Sequence, residues 1–248
     1  MRIFGIISGC LLIITFFTSA EQVIKENNTI ELIGGLEKPP FIIEENGKGL
    51  QLDLIREAFL IENIKVNFVH MPLGRNMTGF RRINADGIIT LPPEYVHPAL
   101  FMSKPYIDYQ NVAISLVERQ FDIKTIADLS GKSIIAFQNA KKFLGDEYES
   151  SVAYSMDYRE LAEQLKQIEL LFLRRTEVII LDINIFKHFI KYNNGDVYTK
   201  PFTVHYIFKE RPYSVGFKSE EIRNKFDTGI QMMKENGSYQ LIIDNYLY

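Results

Sequence analysis

The stretch that decides the fold is residues 85–106, which read Ala85-Asp-Gly-Ile-Ile-Thr90-Leu-Pro-Pro-Glu-Tyr-Val-His-Pro-Ala-Leu-Phe-Met-Ser-Lys-Pro-Tyr106. The Asp-Gly pair leads into a β-branched strand over 88–90 that ends in a hydroxyl group and a Pro-Pro break. Open α/β sheets hold small ligands where their strands end. We therefore predict that Thr90 contacts a ligand. The run contains no arginine, and this absence bears on which ligand is expected.

Upstream of this run, the apolar pattern alternates between strand and helix. Residues 30–36 are typical of a strand, and apolar residues recur at helical spacing over 50–59. Residues 64–68 alternate as a strand, and a proline opens the helix predicted over 72–83. The order β-α-β-α-β predicts an α/β fold with parallel strands.

A second α/β set follows downstream. We predict strands at 111–117, 133–137, 152–154, 178–181 and 213–217, and helices at 141–148, 158–168, 184–192 and between Ser219 and Gly237. Extended segments near Gln110 and Tyr213 join this set to the first, which predicts two lobes connected by a double crossover. The predicted extents are 21–110 plus 212–248 for lobe 1 and 111–211 for lobe 2.

The N-terminus has the order of a secretory signal peptide: Arg2, then an apolar stretch to Phe17, then small residues up to Ala20. The apolar stretch is short for a bilayer span, which needs about 20 residues; an uncleaved anchor is the alternative. Residues 7–10 resemble a lipoprotein processing box, but apolar residues continue after Cys10. We predict cleavage after Ala20 and a periplasmic protein. Loss of 20 of the 248 residues leaves 228 and no cysteine, so disulfides have no part in its stability.

Composition and motifs argue against several function classes. The net charge is −3, and loss of Arg2 makes it −4, so no basic field for nucleic acid is present. The four histidines have no metal-site spacing, and common hydrolase and phosphate-loop motifs are missing. We expect no catalytic residue, no metal and no cofactor.

Seven segments, in order and spacing, resemble the family-3 extracellular solute-binding proteins, the periplasmic receptors of polar amino acid importers. They cover nearly all of the chain after the signal peptide, and their order is more specific than any one of them. The segments are 38–41, 47–54, 85–90, 103–106, 126–132, 178–182 and 236–246.

The resemblance implies the type II periplasmic binding fold, in which two α/β lobes, each a mixed sheet flanked by helices, close on a ligand by hinge motion. It implies capture of a small polar ligand for the membrane permease of an ABC-type importer, without chemistry; we expect a monomer. Two other functions stay open. A sensory receptor would present its closed form to a membrane kinase or cyclase, and a dehydratase on the same scaffold would use Glu94 or His97 as acid or base.

The resemblance also marks where the cleft departs from the family. Members that bind α-amino acids usually carry an arginine after the lobe 1 strand, where it grips the ligand carboxylate with two hydrogen bonds; residues 92–97 contain none. Its loss removes about 1.5–3 kcal/mol, or roughly tenfold or more in affinity. His97 lies nearest that position and could contact an anion if protonated; otherwise it is a surface-loop histidine. Arg75, at a helix start on the cleft edge, could supply the missing charge, or it is solvated.

In lobe 2, the family's Gly-Thr-Thr segment grips ligand through backbone N–H groups at a helix start. The matching residues here are Gln138, Asn139, Ala140 and Lys141. Lys38 replaces an aromatic residue that family members often stack on the ligand. Lys38 and Lys141 at a cleft would favour an anionic or polyhydroxyl ligand; the alternative is that both lysines are solvated.

Asp182 ends a buried apolar strand, where an unpaired carboxylate would be costly. In the family this acid binds the amino group of the ligand; it can also cap the helix that begins near Asn184. Phe41 and Tyr106 are either ligand contacts or packing residues of the core and hinge. These positions together predict a ligand other than an ordinary α-amino acid.

Overall fold

The computed structural model describes residues 28–192 and 195–247, and the predicted signal peptide with Cys10 lies outside them. The first of its two sheets contains β1 (Thr29–Gly34), β2 (Lys65–His70), β3 (Gly87–Leu91), β4 (Phe101–Met102), β5 (Ile107–Tyr109) and β11 (Arg211–Phe217). The strand order is β2-β1-β3-β11-β4, with β5 paired to β11. Strands β1, β2 and β3 run parallel, whereas β11 is antiparallel to β3, β4 and β5. The sheet is therefore mixed.

The second sheet contains β6 (Asn111–Leu116), β7 (Ser133–Phe137), β8 (Asp157–Leu161), β9 (Val178–Asp182) and β10 (Phe202–His205). Its order is β10-β6-β9-β7-β8. Strand β7 is parallel to β8 and β9, and β6 is antiparallel to β9 and β10. The prediction of one mixed sheet in each lobe is confirmed.

The described residues also form eight α-helices, which cover the sheets. They are α1 (Leu50–Leu60), α2 (Asn76–Ile83), α3 (Ala140–Leu144), α4 (Asp146–Val152), α5 (Gln164–Phe172), α6 (Ile183–Tyr192), α7 (Glu220–Asn236) and α8 (Ser238–Leu247). Helices α1, α2 and α7 contact strands of the first sheet, and α5 and α6 contact strands of the second. No helix within 28–192 or 195–247 has the length and apolar character needed to cross a membrane.

Two crossings join the lobes. The chain leaves the first sheet at Gln110, between β5 and β6, and returns over residues 206–210, between β10 and β11. This is the predicted double crossover. The proposed lobe limits at 110/111 and 211/212 stay a prediction.

Helix α1 shows why the apolar spacing of lobe 1 produces a packed layer. Leu54, Ile55, Ala58 and Phe59 recur at helical spacing and are fully buried. Helix α7 crosses at Ala58, where a Cβ on Gly229 would lie only 2.1 Å from the Ala58 carbonyl oxygen. Only glycine allows this approach, so the α1–α7 contact depends on that position.

The predictions for the middle of lobe 2 need correction. The single helix predicted over 141–148 is two helices, α3 and α4, because Gly145 has a φ of +89° that interrupts the helical path. The strand predicted at 152–154 is absent from the described residues; Val152 ends α4. The helix predicted over 158–168 begins as strand β8 and becomes helical only in α5. Its apolar residues match helical spacing, but pairing with β7 along all five residues of β8 overrides that local pattern.

The C-terminus agrees with its predicted capping and then continues further. The Ser219 hydroxyl oxygen accepts a hydrogen bond from the Ile222 N–H, and Gly237 ends α7 in the left-handed region with a φ of +84°. Helix α8, which was not predicted, follows at once. The Tyr246 hydroxyl donates to the Asp53 carboxylate over 2.5 Å, so α8 is tied to α1.

Candidate ligand-binding cleft

A narrow cavity lies where strand ends of the two sheets meet. Thr90 of β3 and Tyr109 of β5 face it from the first lobe, and Phe137 of β7 and Asp182 of β9 from the second. Its volume of ≈ 20 Å³ is little more than one water molecule needs, so the lobes are closed around it. The cavity is lined by Lys38, Leu73, Thr90, Tyr109, Asn111, Phe137, Phe143, Gln164, Asp182 and Tyr213.

Lys38 brings a cation into the wall of this cavity. Lys38 is buried, with only 4% of the residue exposed, and its Nζ lies 4.9 Å from the centre of the Tyr109 ring. A cation over an aromatic face is attracted by the ring electrons. Burial lowers the pKa of Lys38 to about 8, and the negative charge of Asp182 partly offsets this effect. Among the described residues its Nζ has no hydrogen-bond acceptor.

Phe41 supports the Tyr109 ring and does not line the cavity. It is fully buried, and its ring stacks on that of Tyr109 with centroids 4.1 Å apart. Of the two alternatives for Phe41, packing is therefore the arrangement observed in this closed form.

A buried amide connects the floor of the cavity to the hinge. The Gln51 Nε2 donates to the Thr90 hydroxyl over 2.7 Å and to the Tyr106 hydroxyl over 2.6 Å. The Tyr109 hydroxyl donates to the Gln51 Oε1 over 3.0 Å. Gln51 and Tyr106 are both buried, so Tyr106 acts beneath the cavity and holds the residue that positions Thr90 and Tyr109. Satisfied buried networks of this kind stiffen a site.

Thr90 carries backbone strain in addition to this hydrogen bond. Its φ of +62° lies in the left-handed region, which a β-branched residue rarely adopts. Such a conformation costs about 1–3 kcal/mol and occurs preferentially at ligand sites. Because its oxygen accepts from Gln51, the O–H of Thr90 stays available to donate into the cavity.

Asp182 is used as a structural cap. Its two oxygens accept hydrogen bonds from the backbone N–H groups of Asn184 (2.7 Å), Ile185 (3.3 Å) and Gln110 (2.8 Å). It therefore begins helix α6 and ties that helix to the crossing between the lobes. Burial raises the pKa of Asp182 to about 7, although the three N–H donors and Lys38 act in the opposite direction. The predicted capping role is present, and little of the carboxylate is left for a ligand amino group.

The backbone N–H groups at the helix start in lobe 2 also have hydrogen-bond partners within the chain. The N–H groups of Asn139 and Lys141 donate to the two carboxylate oxygens of Glu160, over 2.7 and 3.1 Å. The Gln138 Oε1 accepts from the Gly74 N–H over 3.4 Å, across the rim between the lobes. Gln138 therefore contributes to closure, and the backbone donors around Asn139 do not face a ligand.

Arg75 and His97 do not line the cavity. Arg75 is exposed, in the 3₁₀ turn Leu73–Arg75 that precedes α2. His97 lies in the loop after β3, where its Nε2 is 3.1 Å from an Arg81 guanidinium nitrogen and its Nδ1 accepts from the Ala99 N–H. Neither residue takes the place of the missing arginine in this closed form.

The sequence did not single out several residues that the fold brings to the cavity. Asn111 and Tyr213 are buried at the two crossings, and neither side chain has a hydrogen bond among the described residues. Phe137 and Phe143 add apolar wall from lobe 2, with ring centroids 6.4 Å apart. The extended crossings near Gln110 and Tyr213 were the signal that could have led to Asn111 and Tyr213.

Arg211 connects the two lobes beside the cavity. Its guanidinium donates to the Phe143 carbonyl oxygen in lobe 2 and forms an ion pair with Glu94 of lobe 1 over 2.6 Å. The Lys142 ammonium lies 5.9 Å from the centre of the Tyr95 ring across the same rim. These contacts stabilise the closed arrangement. No cluster of three or more metal-ligating acidic, histidine or cysteine side chains occurs within the described ranges.

Comparison with known proteins identifies the fold. No family model and no curated protein matches the chain. An ancestral arginine-binding protein bound to arginine superposes with a TM-score of 0.73 at 18% identity, over 89% of this chain and 99% of that one. An arginine-bound substrate-binding protein of an amino acid ABC transporter from Streptococcus pneumoniae has a TM-score of 0.70 at 17% identity, over 90% and 95%.

A histidine kinase sensor domain with similarity to periplasmic binding proteins superposes equally well, with a TM-score of 0.73 at 16% identity, over 88% of this chain and 96% of that one. Identities this low establish the fold and leave the ligand open. The chain has the two-lobed type II periplasmic binding fold that its seven segments predict.

Proposed function

We propose that this protein is a secreted, periplasmic solute-binding protein that captures a small polar ligand between its lobes. The observation that carries the proposal is the cavity at the meeting of both sheets and both crossings. Its wall holds polar side chains, those of Lys38, Asn111 and Tyr213, that have no hydrogen-bond partner among the described residues. Polar groups that face a cavity without partners from the protein can hydrogen-bond to a ligand that enters it, which favours a binding role for this cavity.

Hinge closure fits this role. The crossings at Gln110 and 206–210 are the only covalent links between the two sheets within the described residues. The rim contacts of Gln138 and Arg211 are polar and partly exposed. Such contacts are individually weak, so the lobes can separate to admit a ligand and close again around it.

We propose transport as the downstream step, with the closed form recognised by the permease of an ABC-type importer. The similarity to a histidine kinase sensor domain favours a second candidate, a receptor that signals through a membrane partner. Both candidates bind ligand in the same way. Adjacent permease and ATPase genes would select transport, and an adjacent kinase gene would select signalling.

We propose binding without chemistry. The candidate acid and base of a dehydratase, Glu94 and His97, are engaged with Arg211 and Arg81. Neither of them lines the cavity. A dehydratase function predicts turnover of prephenate or arogenate, and the absence of turnover with both would remove it.

The experiment that tests the binding function is a thermal-shift screen of the mature protein against amino acids, opines, organic acids and sugars. A ligand present at 100 times its Kd stabilises the folded state by about 2.7 kcal/mol. For a chain of this length that corresponds to a rise in Tm of roughly 5–10 °C. Failure of every class to raise the Tm would contradict the proposal.

A further inference from the structure

The strongest unexplained feature of the cleft is the Lys38 ammonium. Lys38 is only 4% exposed as a residue, and its ammonium lies over the Tyr109 ring, with no acceptor among the described residues. Asp182 is the carboxylate whose charge acts on it, but its oxygens already accept three backbone N–H bonds. Burying a cation without a hydrogen-bond acceptor is costly. An anionic group in the cavity would remove that cost.

The other polar groups around the cavity are also able to donate. The Thr90 oxygen accepts from Gln51, which leaves its O–H to point elsewhere. The Tyr213 hydroxyl and the Asn111 amide have no partner among the described residues. Donors therefore outnumber free acceptors, and a ligand that supplies acceptor oxygens satisfies the site.

Two positions that could receive a ligand ammonium group are filled by the chain itself. The Asp182 carboxylate already accepts hydrogen bonds from the backbone of helix α6 and of the hinge. The Tyr109 ring, which could hold a cation, is already approached by Lys38. A ligand ammonium would meet Lys38, and like charges repel strongly in a buried site.

Apart from the half-buried amide of Gln164, the remaining walls are apolar. Phe137 and Phe143 from lobe 2 and Leu73 from lobe 1 line the cavity. A tetrahedral oxyanion such as sulfate or phosphate would leave oxygens against these walls without donors. A carboxylate on an apolar body presents two oxygens to the donors and carbon to the walls.

We propose that the cleft recognises a small organic carboxylate with an apolar body and no ammonium group, and that Lys38 Nζ donates to its carboxylate. This inference rests on the proposed function, since it names the ligand class of the same site. It also explains how a cleft without the arginine clamp can hold an acid.

The experiment uses pairs of ligands that differ only in the ammonium group: propionate and L-alanine, 4-methylpentanoate and L-leucine, 3-phenylpropionate and L-phenylalanine. Binding is measured by isothermal titration calorimetry at pH 6.5, with glucose and galactose as neutral ligands. We expect at least one carboxylate to bind, with an affinity tenfold or more above that of its amino acid partner.

Two variants test the role of Lys38. Lys38→Met removes the buried charge and should fold, because an apolar side chain suits that site; circular dichroism checks this. Lys48→Met is the control, since Lys48 is exposed ten residues away along the same segment. We expect Lys38→Met to weaken carboxylate binding at least tenfold and Lys48→Met to leave it unchanged.

The outcomes separate the two levels of the proposal. If an amino acid or sugar binds and no carboxylate does, or if Lys38→Met leaves carboxylate affinity unchanged, the carboxylate inference is overturned while the solute-binding function stands. If neither these ligands nor the wider thermal-shift screen gives any binding, the solute-binding function itself is overturned.

Discussion

The Gln51 network allows a stability prediction with a matched control inside the same chain. Gln51→Leu replaces a fully buried amide by an apolar side chain of similar size. It removes three hydrogen bonds, to Thr90, Tyr106 and Tyr109. At about 1 kcal/mol for each bond the expected loss is about 3 kcal/mol in the free energy of unfolding, or roughly 6–12 °C in Tm.

Gln167→Leu is the control. Gln167 is also fully buried, but neither its Nε2 nor its Oε1 has a hydrogen-bond partner within the part of the chain that the structure describes. The same substitution there removes no bond and relieves an unsatisfied amide, so the free energy of unfolding should stay unchanged or rise by about 1–3 kcal/mol.

Urea denaturation of both variants provides the assay, followed by circular dichroism and by tyrosine fluorescence, since the chain has no tryptophan. Equal slopes against urea would show that the denatured states are comparable. Equal losses in the two variants, or a larger loss in Gln167→Leu, would show that the Gln51 hydrogen bonds do not stabilise the cleft floor.

Three further predictions follow from the charges around the cavity. Carboxylate affinity should fall by about tenfold or more between pH 6 and 9. Over that range Lys38, with a pKa of about 8, loses its positive charge, and Asp182, with a pKa of about 7, becomes negative. Tyr109 and Tyr213 stay neutral, because burial raises their pKa values. Calorimetry across that range measures the effect, and a flat profile would contradict it. Asp182→Asn keeps only one of the two oxygens that accept from the backbone N–H groups of Gln110, Asn184 and Ile185, so it should lower the free energy of unfolding by about 1–3 kcal/mol; urea denaturation measures this, and unchanged stability would contradict the capping role. Arg211→Met removes the link from Phe143 to Glu94, so the two lobes of the ligand-free protein should move apart. Small-angle X-ray scattering would detect this as a larger radius of gyration. Glu94→Gln should separate the lobes less, because the exposed ion pair contributes at most about 1 kcal/mol.

The fold could be predicted because its central strands are apolar runs between turn signals. Strands β7 and β9 are almost completely buried along their length, so their composition alone identifies them. Strand β8 could not be identified in this way. It is an edge strand with half-exposed residues, and only its pairing with β7 distinguishes it from a helix.

The site was predicted less completely than the fold. The position of Asp182 at a strand end follows from the sequence, but one partner of its carboxylate is the N–H of Gln110, 72 residues away. Tyr109 and Tyr213 were not predicted as cavity residues, because the sequence indicates only the extended crossings beside them. They come together through the pairing of β5 with β11, with ring centroids 5.0 Å apart.

Lys38 lies between these two cases. The sequence shows that Lys38 departs from the family pattern, but it does not decide between a ligand contact and a solvated lysine. Burial and the absence of an acceptor, which only the fold provides, favour a role at the ligand.

A crystal structure of the protein with the tightest-binding carboxylate of the three would show directly whether Lys38 binds the ligand. We expect a carboxylate oxygen at about 2.7–3.2 Å from Lys38 Nζ, with Asp182 still accepting from the backbone of α6 and the hinge. A ligand whose carboxylate lies away from Lys38, or whose contacts displace Asp182 from its backbone partners, would contradict this expectation.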